Sequence, residues 1–226
     1  MRVDVWRKAM LGLGLLLAAG AIAAPAPACK GIWTAHPAPV FGTGGKAAPA
    51  PDRRAGVAEV PGEDRLRFID ASGRSQLLQV YGNEGRDLIE PNQGLTEVSW
   101  APDSRHVAIS ASDGGSVGNW SITVFSVRDR QAHRLPPYRE LHVAANRLLQ
   151  CEGPESTNLG LVGWLKGGAE MLVVAQVPPH SVCRNMGSLH GLRVATASGR
   201  ILESMSYASL RKRWPDWLGC EAQPML

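Results

Sequence analysis

Two stretches of this chain repeat one order of short strands and tight turns, which strongly limits the folds open to it. In the first stretch, a predicted strand that ends in Trp100 is followed by a Pro-Asp turn and a second strand over 106–110. In the second stretch, a predicted strand that ends in Trp164 is followed by a Gly-Gly turn and a second strand over 169–175. This pattern predicts antiparallel meanders, with both tryptophans as core residues.

A turn that occurs twice indicates a third unit. The residues Ala-Ser-Gly-Arg at 197–200 separate two predicted strands in the second repeat. The same four residues at 71–74 separate the two strands of a predicted hairpin over 66–80. The hairpin therefore resembles the closing half of another unit of the same kind.

The residues around the first tryptophan resemble a known repeat. The sequence VSWAPDSRHVA at 98–108 is similar to the blade-opening WSPDG pattern of Tol-type periplasmic β-propellers. The second unit keeps Trp164 but lacks the Pro-Asp turn. The resemblance implies blade-like β-meanders and implies nothing about a ligand. Two and a half units fall short of a closed ring of about 4–8 blades, so a partial propeller or a sandwich is expected.

The end of the chain predicts a short helix. Ser206 is a suitable N-cap, residues 208–214 have helical composition, and Pro215 ends the helix. We therefore predict an all-β fold of antiparallel blade-like meanders, arranged as a partial β-propeller or sandwich, with a short C-terminal helix.

The first 23 residues have the pattern of a signal peptide. Three basic residues precede an uncharged run over 9–24, which is shorter than the roughly 20 residues of a membrane-spanning helix. The small residues Ala21-Ile22-Ala23 fit cleavage before Ala24. The pattern predicts a periplasmic or secreted bacterial protein, and an uncleaved anchor helix is the alternative.

Composition divides the rest of the chain into two parts. Residues 24–64 are rich in Pro, Ala and Gly, and few of their side chains could offset the entropy lost on ordering. They are predicted to form a flexible segment. From Arg65 onward, apolar and charged residues partly alternate, as in half-buried strands. Residues 65–226 are predicted to form the β-meander domain.

The charge balance argues against nucleic acid as a partner. The chain has 24 Lys and Arg, 20 Asp and Glu, and a net charge of +4. Without residues 1–28, these counts become 21 and 19, so the net charge falls to +2. The short basic run at 211–213 is typical of a solvated helix face. The expected partner is an unknown protein or another component of the envelope.

The four cysteines are Cys29, Cys151, Cys183 and Cys220. An even number of cysteines in an exported chain predicts two disulfides, and three connectivities are open. We favour a bond between Cys151 and Cys183, which leaves Cys29 with Cys220. Alternatively, Cys29 is the lipid-bearing first residue of a lipoprotein, although Ala-Pro-Ala-Cys differs from the usual Leu-Ala-Gly-Cys. Membrane association is expected only in that case.

The sequence predicts no catalytic residue, cofactor or metal. It contains neither the H-E-x-x-H motif of zinc proteases nor a P-loop. His180 and Cys183 have a spacing that metals can use, but no second close pair completes a zinc site. Asp103 is expected to cap its turn, with His106 facing solvent.

The candidate binding loop belongs to the insert over 136–159, because long inserts often carry recognition. Glu152, Glu155 and Asn158 follow a cysteine in this insert, and His180 lies in a second loop, among prolines. These observations favour a non-enzymatic binding or interaction module of the bacterial envelope. A lipid-anchored inhibitor or immunity-type protein, and an envelope hydrolase that uses His180, stay open as alternatives.

Overall fold

Three four-stranded antiparallel meanders, packed face to face, make up most of the structure. The computed structural model describes residues 31–81, 88–91, 94–114, 119–136, 139–151 and 157–222. In each meander the strands follow one another in chain order, and all neighbours are antiparallel. The prediction of an all-β fold of antiparallel meanders is therefore confirmed.

The elements have the following bounds. The first sheet consists of β1 (Ala48–Pro49), β2 (Ala55–Glu59), β3 (Leu66–Asp70) and β4 (Ser75–Leu78). A separate two-stranded sheet pairs β5 (Val80–Tyr81) with β6 (Leu88–Ile89). The second sheet consists of β7 (Thr96–Trp100), β8 (His106–Ser112), β9 (Trp120–Arg128) and β10 (Gln131–Arg134).

The remaining elements come after the second sheet. Helix α1 (Arg139–Leu149) precedes the third sheet, which consists of β11 (Asn158–Leu165), β12 (Glu170–Gln176), β13 (Leu189–Ala195) and β14 (Ile201–Ser206). Helix α2 (Tyr207–Arg213) follows, as predicted, and Ser206 caps it by accepting a hydrogen bond from the Ser209 N–H at 3.3 Å. Within the described residues, no helix is long and apolar enough to cross a membrane.

The second sheet is buried on both faces. On one face, Val107, Ile109 and Phe125 pack with Leu66 and Phe68 of the first sheet. A strand covered on both sides has no solvent-facing positions, so its apolar residues need not alternate with polar ones. This explains why β8 and β9 read as nearly continuous buried strands.

The other face of the second sheet packs on the third sheet. There Ala108 and Val124 lie in one core with Leu161, Met171 and Val173. Helix α1 adds its own apolar stripe to this core: Leu141, Ala145 and Leu149. The insert over 136–159 was expected to be a loop, and that expectation missed α1, although the stripe has the four-residue spacing of a buried helix face.

The outer face of the third sheet is covered by the two ends of the described chain. Trp33 and Leu218 pack there with Leu172, Val174 and Leu210, the last from α2. Residues 31–35 and 217–221 also pair with each other, and we call these two segments the terminal clasp. The Ala35 N–H donates to the Trp217 carbonyl oxygen at 2.8 Å, and the Gly219 N–H to the Trp33 carbonyl oxygen at 2.8 Å.

Two glycines of β11 make room for the indole rings of the clasp. Trp33 contacts Gly160 and Trp217 contacts Gly163 so closely that a Cβ atom at either glycine would overlap the ring. A larger residue at these positions would push the clasp off the sheet. The third sheet is thus closed by the chain itself.

The structure differs from the expectation that residues 24–64 are flexible. β1 and β2 lie in this segment, Trp33 is fully buried, and Ala48 and Ala50 are buried as well. Small side chains and the short antiparallel pairing of β1 with β2 are enough to order this segment, because the second sheet supplies the apolar surface against which it packs. Residues 24–30 lie outside the described ranges.

The repeated Ala-Ser-Gly-Arg turn takes equivalent places in two sheets. Residues 71–74 join the third and fourth strands of the first sheet, and residues 197–200 join the third and fourth strands of the third sheet. The interpretation of the hairpin over 66–80 as the closing half of a third unit is therefore confirmed.

Candidate functional site

A disulfide joins helix α1 to the loop between β12 and β13. Cys151 and Cys183 are bonded, with their Cα atoms 5.4 Å apart, so the favoured pairing is confirmed. The Asn185 side-chain amide also donates to the Leu149 carbonyl oxygen. We call residues 139–151 and 177–188 together the disulfide corner. Cys220 is disulfide-bonded as well, and Cys29, its predicted partner, lies outside the described residues.

The loop of the corner is closed at its base. The Val177 N–H donates to the Ser188 carbonyl oxygen at 2.9 Å, and the Gly187 N–H donates to the Val177 carbonyl oxygen at 2.9 Å. Inside the loop, the Ser181 hydroxyl donates to the Pro178 carbonyl oxygen at 2.8 Å. These hydrogen bonds and the disulfide fix the conformation of the loop at the edge of the core.

The corner concentrates exposed apolar side chains. Six large hydrophobic side chains are exposed in the described part of the chain, and four of them lie in the corner: Val143, Leu148, Val182 and Met186. Val182 is 84% exposed and Met186 is 53% exposed. Exposed large apolar side chains are more often found at interaction sites when they occur together than when they are scattered singly.

Helix α1 carries the other half of this surface. Glu140, Val143, Ala144 and Arg147 line an open cavity of about 270 Å³ along its outer face. Their spacing of three and four residues places them side by side on the helix, opposite the buried stripe. The surface is therefore mixed, with apolar side chains beside charged ones.

The predicted binding-loop residues do not come together. His180 is exposed in the loop of the disulfide corner, whereas Glu152 and Glu155 lie outside the described residues. Asn158 is buried in β11, where its Oδ1 accepts from the Trp120 N–H at 3.0 Å and its Nδ2 donates to Gln176 Oε1 at 3.0 Å. The assignment of Asn158 to a binding loop is therefore wrong, because its amide fastens the second sheet to the third.

The histidine that does have a carboxylate partner is His106. Its Nδ1 lies 2.9 Å from Asp103 Oδ2, while Asp103 Oδ1 accepts from the Arg105 N–H at 2.8 Å, as a turn cap should. His106 is half-buried, and its ring packs on Trp164 with a centroid distance of 6.2 Å. It was expected to face solvent, but the third sheet covers it. This pair fixes the turn between β7 and β8 of the second sheet. For His180, the described residues provide no such partner.

The chain also contains a G-x-S-x-G sequence at 114–118, which in hydrolases marks a nucleophilic serine. Residues 115–118 lie outside the described ranges, but the flanking elements are β8 and β9, which pair antiparallel. The hydrolase motif requires a turn from a strand into a helix. Its position here between two neighbouring strands does not support that chemistry.

Sequence reasoning gave no indication of a role for Glu97. This buried carboxylate accepts hydrogen bonds from the N–H groups of Ile32 at 2.7 Å, Trp33 at 3.0 Å and Thr34 at 3.2 Å. Burial raises the pKa of Glu97, against the opposing effect of the three N–H groups. Glu97 thereby attaches the terminal clasp to the second sheet.

Neither Glu97 nor the Asp103 pair is part of a metal site, since the described residues hold no group of three or more His, Cys, Asp or Glu that could bind one. The disulfide corner is the described surface with the most exposed large apolar side chains. No protein-family model, curated protein or solved structure matches the chain.

Proposed function

We propose that this protein is an exported binding module that uses the disulfide corner to hold another protein of the bacterial envelope. The observation that carries the proposal is that four of the six exposed large hydrophobic side chains in the described chain lie in two segments joined by a disulfide: Val143, Leu148, Val182 and Met186. Full burial of an apolar side chain of this size contributes roughly 1.5–3 kcal/mol. Two or three such contacts could therefore supply much of the affinity of a complex.

The fixed shape of the corner favours binding. A partner that docks on a flexible loop must order it, at about 0.5–1.5 kcal/mol for each side chain immobilised. The disulfide and the closed loop base have already restricted the backbone that carries Val182 and Met186. Less ordering is then left to the moment of association.

The charges of the corner indicate the chemistry of the partner. Arg147 and Arg184 are exposed beside the apolar side chains, and neither forms an ion pair within the described residues. Glu140 is the one carboxylate whose side chain is described in the corner. We expect a protein segment with apolar side chains flanked by Asp or Glu.

Export to an oxidising compartment is part of the proposal. It rests on the signal-like first 23 residues and on the disulfide, since structural disulfides persist mainly in oxidising compartments. Intact mass of the protein purified from a bacterial envelope tests this. A chain that starts at Ala24 supports a periplasmic or secreted protein, a chain that starts at Cys29 with added acyl mass supports a lipoprotein, and an uncleaved chain contradicts cleavage.

Site-specific photo-crosslinking tests the binding surface. A photoreactive amino acid placed at Val182 should give one discrete adduct with an envelope protein. The matched control is the same amino acid at Leu88, which is 61% exposed but lies on the two-stranded sheet, outside the disulfide corner. An adduct from position 88 and none from position 182 would contradict the proposal.

A further inference from the structure

A polar groove lies where the outer strands of the first and second sheets meet. It has a volume of about 350 Å³, and its lining includes Gln76, Gln79, Tyr81, Phe125 and Arg134. It shares no residue with the disulfide corner. No acidic side chain occurs among its described lining residues.

The groove is held in shape by hydrogen bonds between the two sheets. The Gln76 side chain donates through Nε2 to the Ala132 carbonyl oxygen at 2.8 Å and accepts from the Ala132 N–H at 3.1 Å. The Tyr81 N–H donates to Thr123 Oγ1 at 3.1 Å, and the Ser121 hydroxyl donates to the Tyr81 carbonyl oxygen at 2.6 Å. Both sides of the groove are thus fixed before a ligand arrives.

The polar side chains that remain available in the groove are hydrogen-bond donors. The Arg134 guanidinium lies over the Tyr81 ring, 3.8 Å from its centroid. Stacking uses the face of the guanidinium and leaves its N–H groups, which lie in the plane, able to donate. The Tyr81 hydroxyl donates to Gln79 Oε1 at 2.8 Å, so the Gln79 side chain presents its NH₂ group.

We propose that this groove binds a carboxylate-bearing ligand through Arg134 and Gln79. A positive charge and an amide NH₂ group, with no acidic neighbour in the described lining, favour an anion. The planar fork of a guanidinium matches the two oxygens of a carboxylate. Leu77 and Phe125 also line the groove and provide apolar contact for the carbon skeleton beside the carboxylate. The volume is near the lower end of ligand sites, roughly 300–1,000 Å³, so it suits a small ligand or a single terminal residue.

Calorimetric titration with three probes tests the proposal. The probes are N-acetyl-leucyl-leucine with a free carboxylate, the same peptide as its C-terminal amide, and galacturonate. We expect a carboxylate probe to bind, and the amide to bind at least about tenfold more weakly than the free peptide if the peptide is the probe that binds. Binding of the peptide assigns a peptide carboxylate, and binding of galacturonate assigns an acidic sugar. Equal binding of the free peptide and its amide, or no binding of any probe, overturns the proposal.

Variants locate the binding in the groove. Arg134→Gln should weaken binding of the carboxylate probe at least about tenfold, and Arg134→Lys, which keeps the charge but lacks the fork, should have an intermediate effect. Arg128→Gln is the matched control, because Arg128 is exposed at the end of the adjacent strand. Thermal melts check that the variants fold. If Arg128→Gln weakens binding as much as Arg134→Gln, general charge attraction explains it and the proposal fails.

Discussion

The indole N–H of Trp164 donates a hydrogen bond to the Ser99 hydroxyl at 3.1 Å, from the first strand of the third sheet to the first strand of the second. Trp100 ends the equivalent strand of the second sheet, and its indole N–H donates to the Ala48 carbonyl oxygen of the first sheet at 3.3 Å. The same residue type therefore makes the same kind of contact at two successive sheet junctions. Both tryptophans thus hold sheets together. Trp164 is buried, as predicted for a core residue, whereas Trp100 is half-buried at the edge of the core.

The first prediction concerns the junction between the second and third sheets, where Trp164 bonds to Ser99. Trp164→Phe keeps an aromatic ring in the core but leaves Ser99 without its donor, so we expect a loss of about 1–2 kcal/mol in the free energy of unfolding. Urea denaturation measures the loss. Trp33→Phe is the control, because Trp33 is also buried and its indole N–H has no hydrogen-bond partner in the described structure. Equal losses in the two variants would mean that the hydrogen bond contributes nothing.

The second prediction concerns the pH dependence that Glu97 introduces. Because burial raises the pKa of Glu97 above its ordinary value of 4.5, the folded protein binds a proton there more tightly than the unfolded chain. The contribution of Glu97 to stability should therefore fall as pH rises from 4.5 through the folded-state pKa. Glu97→Gln keeps one acceptor and cannot ionise, so it should lack this dependence.

Urea denaturation of wild type and Glu97→Gln between pH 4.5 and 7.5 measures the effect. The stability of wild type relative to the variant should decline with rising pH and then level off. A relative stability that rises with pH would show that the N–H groups of the clasp lower the pKa instead.

The third prediction concerns His142, a buried residue of helix α1. Its Nδ1 has no hydrogen-bond partner within the described structure, and burial lowers its pKa from 6.5 to about 4. The unfolded chain therefore binds a proton below pH 6.5 that the folded protein does not. Stability should fall as pH drops from 6.5 towards 4, by about 1.4 kcal/mol per unit at most.

His142→Leu should remove this acid sensitivity, and urea denaturation at pH 6.5, 5.5 and 4.5 checks it. The effects of His142 and Glu97 have opposite signs in this range, so each variant is compared with wild type separately. If the free energy of unfolding of His142→Leu depends on pH as steeply as that of wild type, a group other than His142 causes the acid sensitivity.

The fourth prediction concerns the disulfide. Cys151 and Cys183 are separated by 32 residues, and in the chain-entropy model a loop of this size stabilises the fold by about 3–4 kcal/mol. The double variant Cys151→Ser, Cys183→Ser should lose about that much. Hydrogen exchange should show α1 and the loop losing protection first. Uniform loss across the three sheets would contradict a local role for the bond.

Local patterns explain which parts of the fold were predictable from the sequence. The strands near Trp100 and Trp164, both Ala-Ser-Gly-Arg turns and the helix capped by Ser206 each depend on a few neighbouring residues. Such features are determined by residues close together in the chain, which a sequence pattern can reveal. The favoured pairing of Cys151 with Cys183 is confirmed too, but these cysteines are 32 residues apart and the sequence left three connectivities open.

The parts of the fold that the sequence did not predict depend on contacts between residues far apart in the chain. Trp33 is buried because residues 217–221 pair with its segment, and no local pattern near Trp33 indicates this partner. β1 was missed because small residues such as Ala48 give no strand signal until a neighbouring sheet covers them. Asn158 was assigned to a binding loop and Glu97 was given no role, yet both are buried and accept hydrogen bonds from backbone N–H groups of distant strands or segments.

The most direct test of the proposed interaction surface is the affinity of the crosslinked partner for two matched variants. Met186→Asp and Leu88→Asp place the same charge at exposed side chains, which are 53% and 61% exposed, but only Met186 lies in the disulfide corner. We predict that Met186→Asp weakens binding at least about tenfold, since it places an unpaired charge in the interface, and that Leu88→Asp has no effect. Equal affinities of both variants and wild type would contradict a binding role for the corner.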